Sequence, residues 1–198
     1  MILFRPTGLA ELQLVLQRDL AGWPPRLPDQ PIFYPVTTAR YASQIAREWN
    51  TKSELRAGYV TEFAVDDAYV SQFERKIVGS REHEELWVPA EQLEELNSHI
   101  TAPIRVIDAF FGEEFVGLVP DVGAMQGKHA REQLAALAAL LAAGDDLRAE
   151  ITLNREVVFL HLAYWRQLGD APESLLTAVE RAWSAAFPRL SLPVSGGA

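Results

Sequence analysis

The patterning of the chain changes once, near residue 117, and that change constrains the fold more than any other feature. Before it, short apolar runs are cut by prolines and alternate with brief helix-spaced segments. After it, every patterned stretch has helical spacing. Strands gathered at one end of a chain and helices at the other predict an α+β fold.

The clearest strand lies at 59–65, where Tyr59, Thr61, Phe63 and Val65 alternate with Val60, Glu62 and Ala64. Shorter strands are expected at 2–4, ended by Pro6, and at 32–34, closed by Pro35. Others are expected at 74–78, at 86–88 before Pro89, and in "PIRVIDAFFG" at 103–112, with a turn at Asp66 and Asp67. Between them, Thr7 or Gly8 caps a helix over 9–20 carrying Leu9, Leu12, Leu16 and Leu20. Thr37 or Thr38 caps a second, running to Asn50, with Tyr41, Ile45 and Trp49 on one face. Pro89 opens a third, carrying Leu93 and Leu96. "GWPPRLPDQP", with four prolines in ten residues, is an ordered but irregular connector.

In the second half, residues 130–143 are rich in alanine and leucine. Asn154 caps a helix through Leu168 with Val157, His161 or Leu162, and Trp165 on one side. Leu175, Val179, Trp183 and Phe187 step by four along another. The expected division is a mixed domain over 1–116, a linker over 117–128 and three helices over 129–192. So small a helical region is expected to dock on the first domain. The end, "PVSGGA", is expected to fray.

Composition excludes several chemistries. A net charge of −9 argues against nonspecific nucleic-acid binding, which needs a basic surface. With no cysteine there is no disulfide, thiolate metal site or thiol nucleophile. The start "MILFRPTG" does not read as a signal peptide, and no apolar run reaches the ~18 residues of a membrane span, so a cytoplasmic location is expected. "GKH" at 127–129 lacks the spacing of a phosphate-binding loop, and no G-x-S-x-G elbow occurs; "VGSRE" at 78–82 reads as a turn. The four histidines form no pair at metal spacing; His83, Glu84 and His99 are the one combination worth testing, and no metal is expected. His161, on an aromatic-rich helix, reads as a hydrogen-bonded core or interface residue.

Three features can carry chemistry. Arg5, within "LFRP", either snorkels to solvent or offers a planar fork of donors to an anion. Thr37 and Thr38 precede a helix opened by Tyr41, and Tyr34 and Tyr41 can stack on a planar ring. Glu85 is the last charge of "REHEELWVP"; by alternation it shares a strand face with Trp87, while Leu86 and Val88 face the other way. A carboxylate on a strand is held more rigidly than one in a loop.

This order resembles the ADP-ribosyltransferase fold of the arginine–serine–glutamate class: "aromatic-Arg" on a first strand, a hydroxyl segment before a "YA" helix, then Glu and three apolar residues before a proline. The segments "LFRPTGL", "PPRLPDQPIFYPV", "YASQIAREWN" and "HEELWVPAEQLEELNSHI" are also similar to a family of short bacterial proteins described as ADP-ribosylation/crystallin-related. The resemblance covers about residues 1–112. It implies split antiparallel sheets with short helices, NAD as substrate and no metal. It further implies that Arg5 contacts phosphates and ribose, that Thr37 or Thr38 supports the nicotinamide pocket, and that Glu85 stabilises an oxocarbenium-like sugar. An aromatic, Tyr34 or Tyr41, would stack on the nicotinamide. His83 takes the place where such enzymes carry a second Glu or Gln that positions the acceptor, and Glu82 with Glu84 forms a competing frame one residue earlier. The segment Val36-Thr37-Thr38-Ala39 departs from the usual hydroxyl triplet.

Three functions are therefore expected to compete. The first is an NAD-dependent mono-ADP-ribosyltransferase or NAD glycohydrolase. The second is an inactive module of the same fold that binds a nucleotide or a protein partner. The third is an acidic protein that interacts with an operon-encoded neighbour.

Overall fold

A computed structural model describes residues 1–79 and 83–193; Glu82, most of the "VGSRE" turn and nearly all of the C-terminal tail fall outside the described residues. In chain order the elements begin with β1 (Ile2–Gly8), α1 (Leu9–Gln17), β2 (Ile32–Phe33), α2 (Ala39–Glu48), β3 (Ala57–Ala64) and α3 (Asp67–Val70). They continue with β4 (Glu74–Ile77), β5 (Glu84–Pro89), α4 (Leu93–Ser98) and β6 (Arg105–Phe111). Four helices follow among the described residues: α5 (Ala130–Ala143), α6 (Leu147–Leu153), α7 (Arg155–Gln167) and α8 (Glu173–Ala186).

The fold is mixed α+β with two small antiparallel sheets, ordered β1-β3-β6 and β2-β5-β4. Val36 stitches them together. Its N–H donates to Phe4 O (2.7 Å), its carbonyl accepts from Phe4 N (2.9 Å), and it bridges onward to Glu85. Because Phe4 turns its backbone groups toward Val36, the even positions of β1 face away from β3. Pro6, which lacks an N–H, therefore breaks no bond of the β1–β3 ladder. This is why β1 runs through Pro6 to Gly8 and does not end there.

β3, the central strand, is covered on both faces. Tyr59, Phe63 and Val65 join the main core with Leu9, Leu12 and Leu16 of α1. Val60 packs against Val36, Ala42 and Ala46 on the other side. The helices after residue 129 share that main core, and the Tyr59 hydroxyl donates to Leu160 O at 2.8 Å across it.

Several expectations are corrected. The first helix stops at Gln17 and does not reach Leu20, because Asp19 and Leu20 take left-handed backbone conformations. Pro89 ends β5, and a turn of 3₁₀ helix over Ala90–Gln92 separates it from α4. A fourth C-terminal helix, α6, lies between the expected ones. Asn154 does precede α7, but its amide donates to Val122 O (3.3 Å) and Glu150 Oε1 (3.0 Å) and does not cap α7. No helix among the described residues is long and apolar enough to cross a membrane.

Candidate functional site

Glu85 owes its position to two neighbours of its backbone. On one side β5 pairs with β4, placing Lys76 opposite Glu85. On the other, Leu86 N donates to Pro35 O (2.8 Å) and Thr37 N to Glu84 O (3.1 Å). Strand alternation buries Leu86 and Val88 and turns Glu85 and Trp87 to the other face.

The Glu85 carboxylate is held by neutral donors. Tyr41 Oη donates to Oε1 at 3.1 Å and Trp87 Nε1 to Oε2 at 3.3 Å. The nearby cations are engaged elsewhere: Arg75 with Glu84 (3.8 Å), and Lys76 with Glu74 (3.4 Å) while its Nζ lies 3.4 Å above the Trp87 ring centre. A fixed carboxylate that no cation among the described residues pairs with keeps its charge available to a positive centre that develops nearby.

Arg5 occupies an inward position of β1, between Leu3 and Thr7, and is almost fully buried. Its guanidinium lies 4.5 Å from the Phe33 ring centre and 5.7 Å from that of Trp23. Nε and Nη2 donate to Glu11 Oε1 (3.0 and 2.8 Å), and Nη1 donates to Tyr34 O (3.2 Å). Arg26 Nη1 reaches the same Glu11 oxygen at 3.3 Å. Burial, then the charge of Arg5, lowers the pKa of Arg26. One carboxylate thus serves two guanidiniums, and the group keeps a net positive charge beside the remaining Arg5 N–H bonds.

These residues meet in one cavity of about 550 Å³, within the range of small-molecule sites. Arg5, Glu11, Tyr34, Glu85 and Trp87 line part of its wall; Ile45, Trp49, Asn50 and Ser53 line another. Tyr34 and Trp87 meet edge to face, their ring centres 5.2 Å apart. The side of α2 expected to carry Tyr41 and Ile45, with Trp49 at its C-terminal cap, is the one turned to this cavity, while Ala42 and Ala46 are the buried positions of that helix.

Among the sequence-predicted site residues, the fold brings Arg5, Tyr34 and Glu85 to the cavity wall. Tyr41 and His83 reach it through Glu85: their rings stack with centres 4.1 Å apart and planes 12° apart. His83 Nδ1 lies 3.2 Å from Val78 O, a contact that requires the proton on Nδ1. Thr37 and Thr38 are not among the lining residues; Thr38 Oγ1 caps α2 by accepting from Tyr41 N at 3.3 Å. The hydroxyl segment thus orients α2 and β5 and leaves the wall to others. His99 stacks on Tyr69, away from His83, and no group of three or more His, Asp or Glu among the described residues is arranged to hold a metal.

Sequence reasoning missed Glu11, Arg26 and Trp49. Glu11 carried one signal, as the acid in the first turn of a helix that follows the arginine strand. A slightly larger cavity, about 630 Å³, lies between Trp183, Phe187 and residues 188–193. Its charged pair, Arg166 and Glu180, is closed on itself at 2.6 Å, whereas Glu85 in the Arg5 cavity is held by neutral donors. No protein-family model, curated protein or solved structure matches this chain.

Proposed function

We propose that the cavity binds NAD and cleaves its nicotinamide–ribose bond, passing ADP-ribose to an acceptor or to water. The observation that carries this reading is the meeting of Arg5 and Glu85 on the wall of one cavity of about 550 Å³. As nicotinamide leaves, the ribose carbon gains positive charge, and a carboxylate already fixed beside it stabilises that state without having to reorganise. Tyr41 and Trp87 fix Glu85 from two directions. The N–H bonds of Arg5 not used by Glu11 and Tyr34 serve the pyrophosphate.

The test is nicotinamide release from NAD by the unaltered protein and by Glu85→Gln, which keeps the shape and removes the charge. The expected outcome is a fall of about 100-fold or more in the variant. Absence of release by the unaltered protein, with no heat of NAD binding in calorimetry, overturns the proposal.

A second reading, binding without turnover, is favoured by two contacts. Glu11 already occupies one side of the Arg5 fork, and His83 covers one face of Tyr41. Under it, NAD binds and is recovered intact from the unaltered protein.

A further inference from the structure

Trp49 is the most exposed large apolar side chain among the described residues, at 70%. Two other tryptophans, Trp23 and Trp183, are buried against aromatic neighbours, and Trp165 is buried with its N–H on Ala130 O. Trp87 carries Lys76 on its ring and Glu85 on its N–H. The Trp49 indole has no ring contact and no hydrogen bond among the described residues, although it lines the Arg5–Glu85 cavity. A large aromatic ring left bare on a cavity wall is a surface for another planar ring.

Its backbone is held firmly. Trp49 N donates to Ile45 O (3.0 Å) as α2 ends, and its carbonyl accepts from Lys52 N (3.0 Å) in the 3₁₀ turn that follows. Next to it, the Asn50 amide, turned so that both its atoms are satisfied, accepts from Gly8 N (3.1 Å) and donates to Ile45 O (3.2 Å). The platform is exposed but not loose.

Position along α2 decides what the platform receives. Tyr41, Ile45 and Trp49 are spaced by four, so the Tyr41 and Trp49 ends of the stripe stand about 12 Å apart along the helix axis. Tyr41 marks the Glu85 end, where the bond to be broken must lie. A single ring covers one end of such a stripe; a ligand with a ring at each end and anionic groups between, near Arg5, covers all of it.

We propose that Trp49 is the stacking platform for the adenine ring of the ligand, so that the site holds the dinucleotide by its base-bearing far end. The inference rests on the dinucleotide reading of the same cavity. Base–aromatic stacking depends on ring area, not on a hydrogen-bonded edge, so phenylalanine retains part of it and alanine none.

The experiment is calorimetry of the full chain and of its Trp49→Ala and Trp49→Phe variants with three probes: NAD, AMP and nicotinamide mononucleotide. Trp49 is exposed, so both variants keep the fold, which circular dichroism checks. The expected result is a loss of roughly ten-fold or more in affinity for NAD and AMP in Trp49→Ala, with partial recovery in Trp49→Phe. Affinity for nicotinamide mononucleotide, which has no adenine, stays the same in all three proteins. A change of less than about two-fold for NAD and AMP, or an equal loss for nicotinamide mononucleotide, overturns the inference. The two proposals fail separately. Nicotinamide release that depends on Glu85 but adenine affinity that ignores Trp49 overturns only this one. AMP binding that depends on Trp49, in a protein that never releases nicotinamide, overturns only the transferase reading.

Discussion

Tyr41 governs how Glu85 can act. Partial burial, then the charge of Glu85, then the hydrogen bond itself push the Tyr41 phenol up to about 12, so it stays a donor throughout the neutral range. Replacing Tyr41 with Phe keeps the stack on His83 and removes only the O–H on Glu85. A hydrogen bond to a charged group contributes about 1.5–3 kcal/mol, and here it acts on the group that faces the transition state. Tyr41→Phe is therefore expected to lower kcat for nicotinamide release about ten-fold while leaving KM for NAD nearly unchanged. Steady-state kinetics checks this; an unchanged kcat means that Trp87 alone orients the carboxylate. At this scale the sequence was readable where alternation applies, which is why Glu85 and Trp87 stood out together. It was opaque where a partner arrives from an irregular segment. Arg26 lies in the proline-rich stretch, whose path is set by Asn97: Trp23 N donates to Asn97 Oδ1 (2.8 Å), and Asn97 Nδ2 donates to Trp23 O (3.0 Å). No local pattern announces a clamp so far along the chain.

Among the elements, the contact between β3 and α2 decides whether the cavity exists. A Cβ at Gly58 would lie 2.2 Å from Ala46 O and 2.9 Å from Asn50 Cβ, so the strand meets the helix through bare backbone. Gly58 is not among the residues with positive φ, and its requirement is steric alone. Gly58→Ala is expected to destabilise the protein by about 3 kcal/mol, seen as a lower urea midpoint, because backbone on both sides cannot yield locally. Binding at the cavity should weaken with it, since α2 carries Ile45 and ends on Trp49 as its cap. The same contact explains a partial reading of α2. Its helix and cap were legible from Thr38 onward, and so was the shared face of Tyr41, Ile45 and Trp49, but not that the close approach of β3 admits only Ala42 and Ala46 on the buried side. α6 went unseen for a different reason: seven residues with only Leu147 and Ile151 buried make too short a period to register.

At the scale of the whole molecule, residues 117–128 hold no helix or strand, yet polar contacts tie them down throughout. Glu150 accepts from Ala124 N (3.0 Å) and Met125 N (3.1 Å), and Gln133 Nε2 donates to Leu118 O (2.6 Å) and Lys128 O (2.7 Å). His161 completes the set: Nε2 accepts from Leu118 N at 2.9 Å, and Nδ1 lies 2.7 Å from Gln133 Oε1. That pattern requires a neutral imidazole with its proton on Nδ1. Gly117 has no room to spare, since a Cβ there would lie 2.5 Å from the same ring. Complete burial holds the His161 pKa down to about 3 from its ordinary 6.5. Between those values the unfolded chain binds a proton that the folded chain refuses, so stability rises with pH across this window. The contribution is complete above about 6.5 and is lost as pH falls toward 3. His161→Gln removes this titration at the cost of a less satisfied Leu118 N–H. The variant is expected to be less stable at neutral pH, yet its stability should fall less between pH 6.5 and 3 than that of the unaltered protein. Urea unfolding of both proteins across that range isolates the histidine, because the carboxylates common to both cancel in the difference. Parallel curves would mean that the segment opens to water before the imidazole is protonated, leaving α7 without its polar tie to residues 117–128.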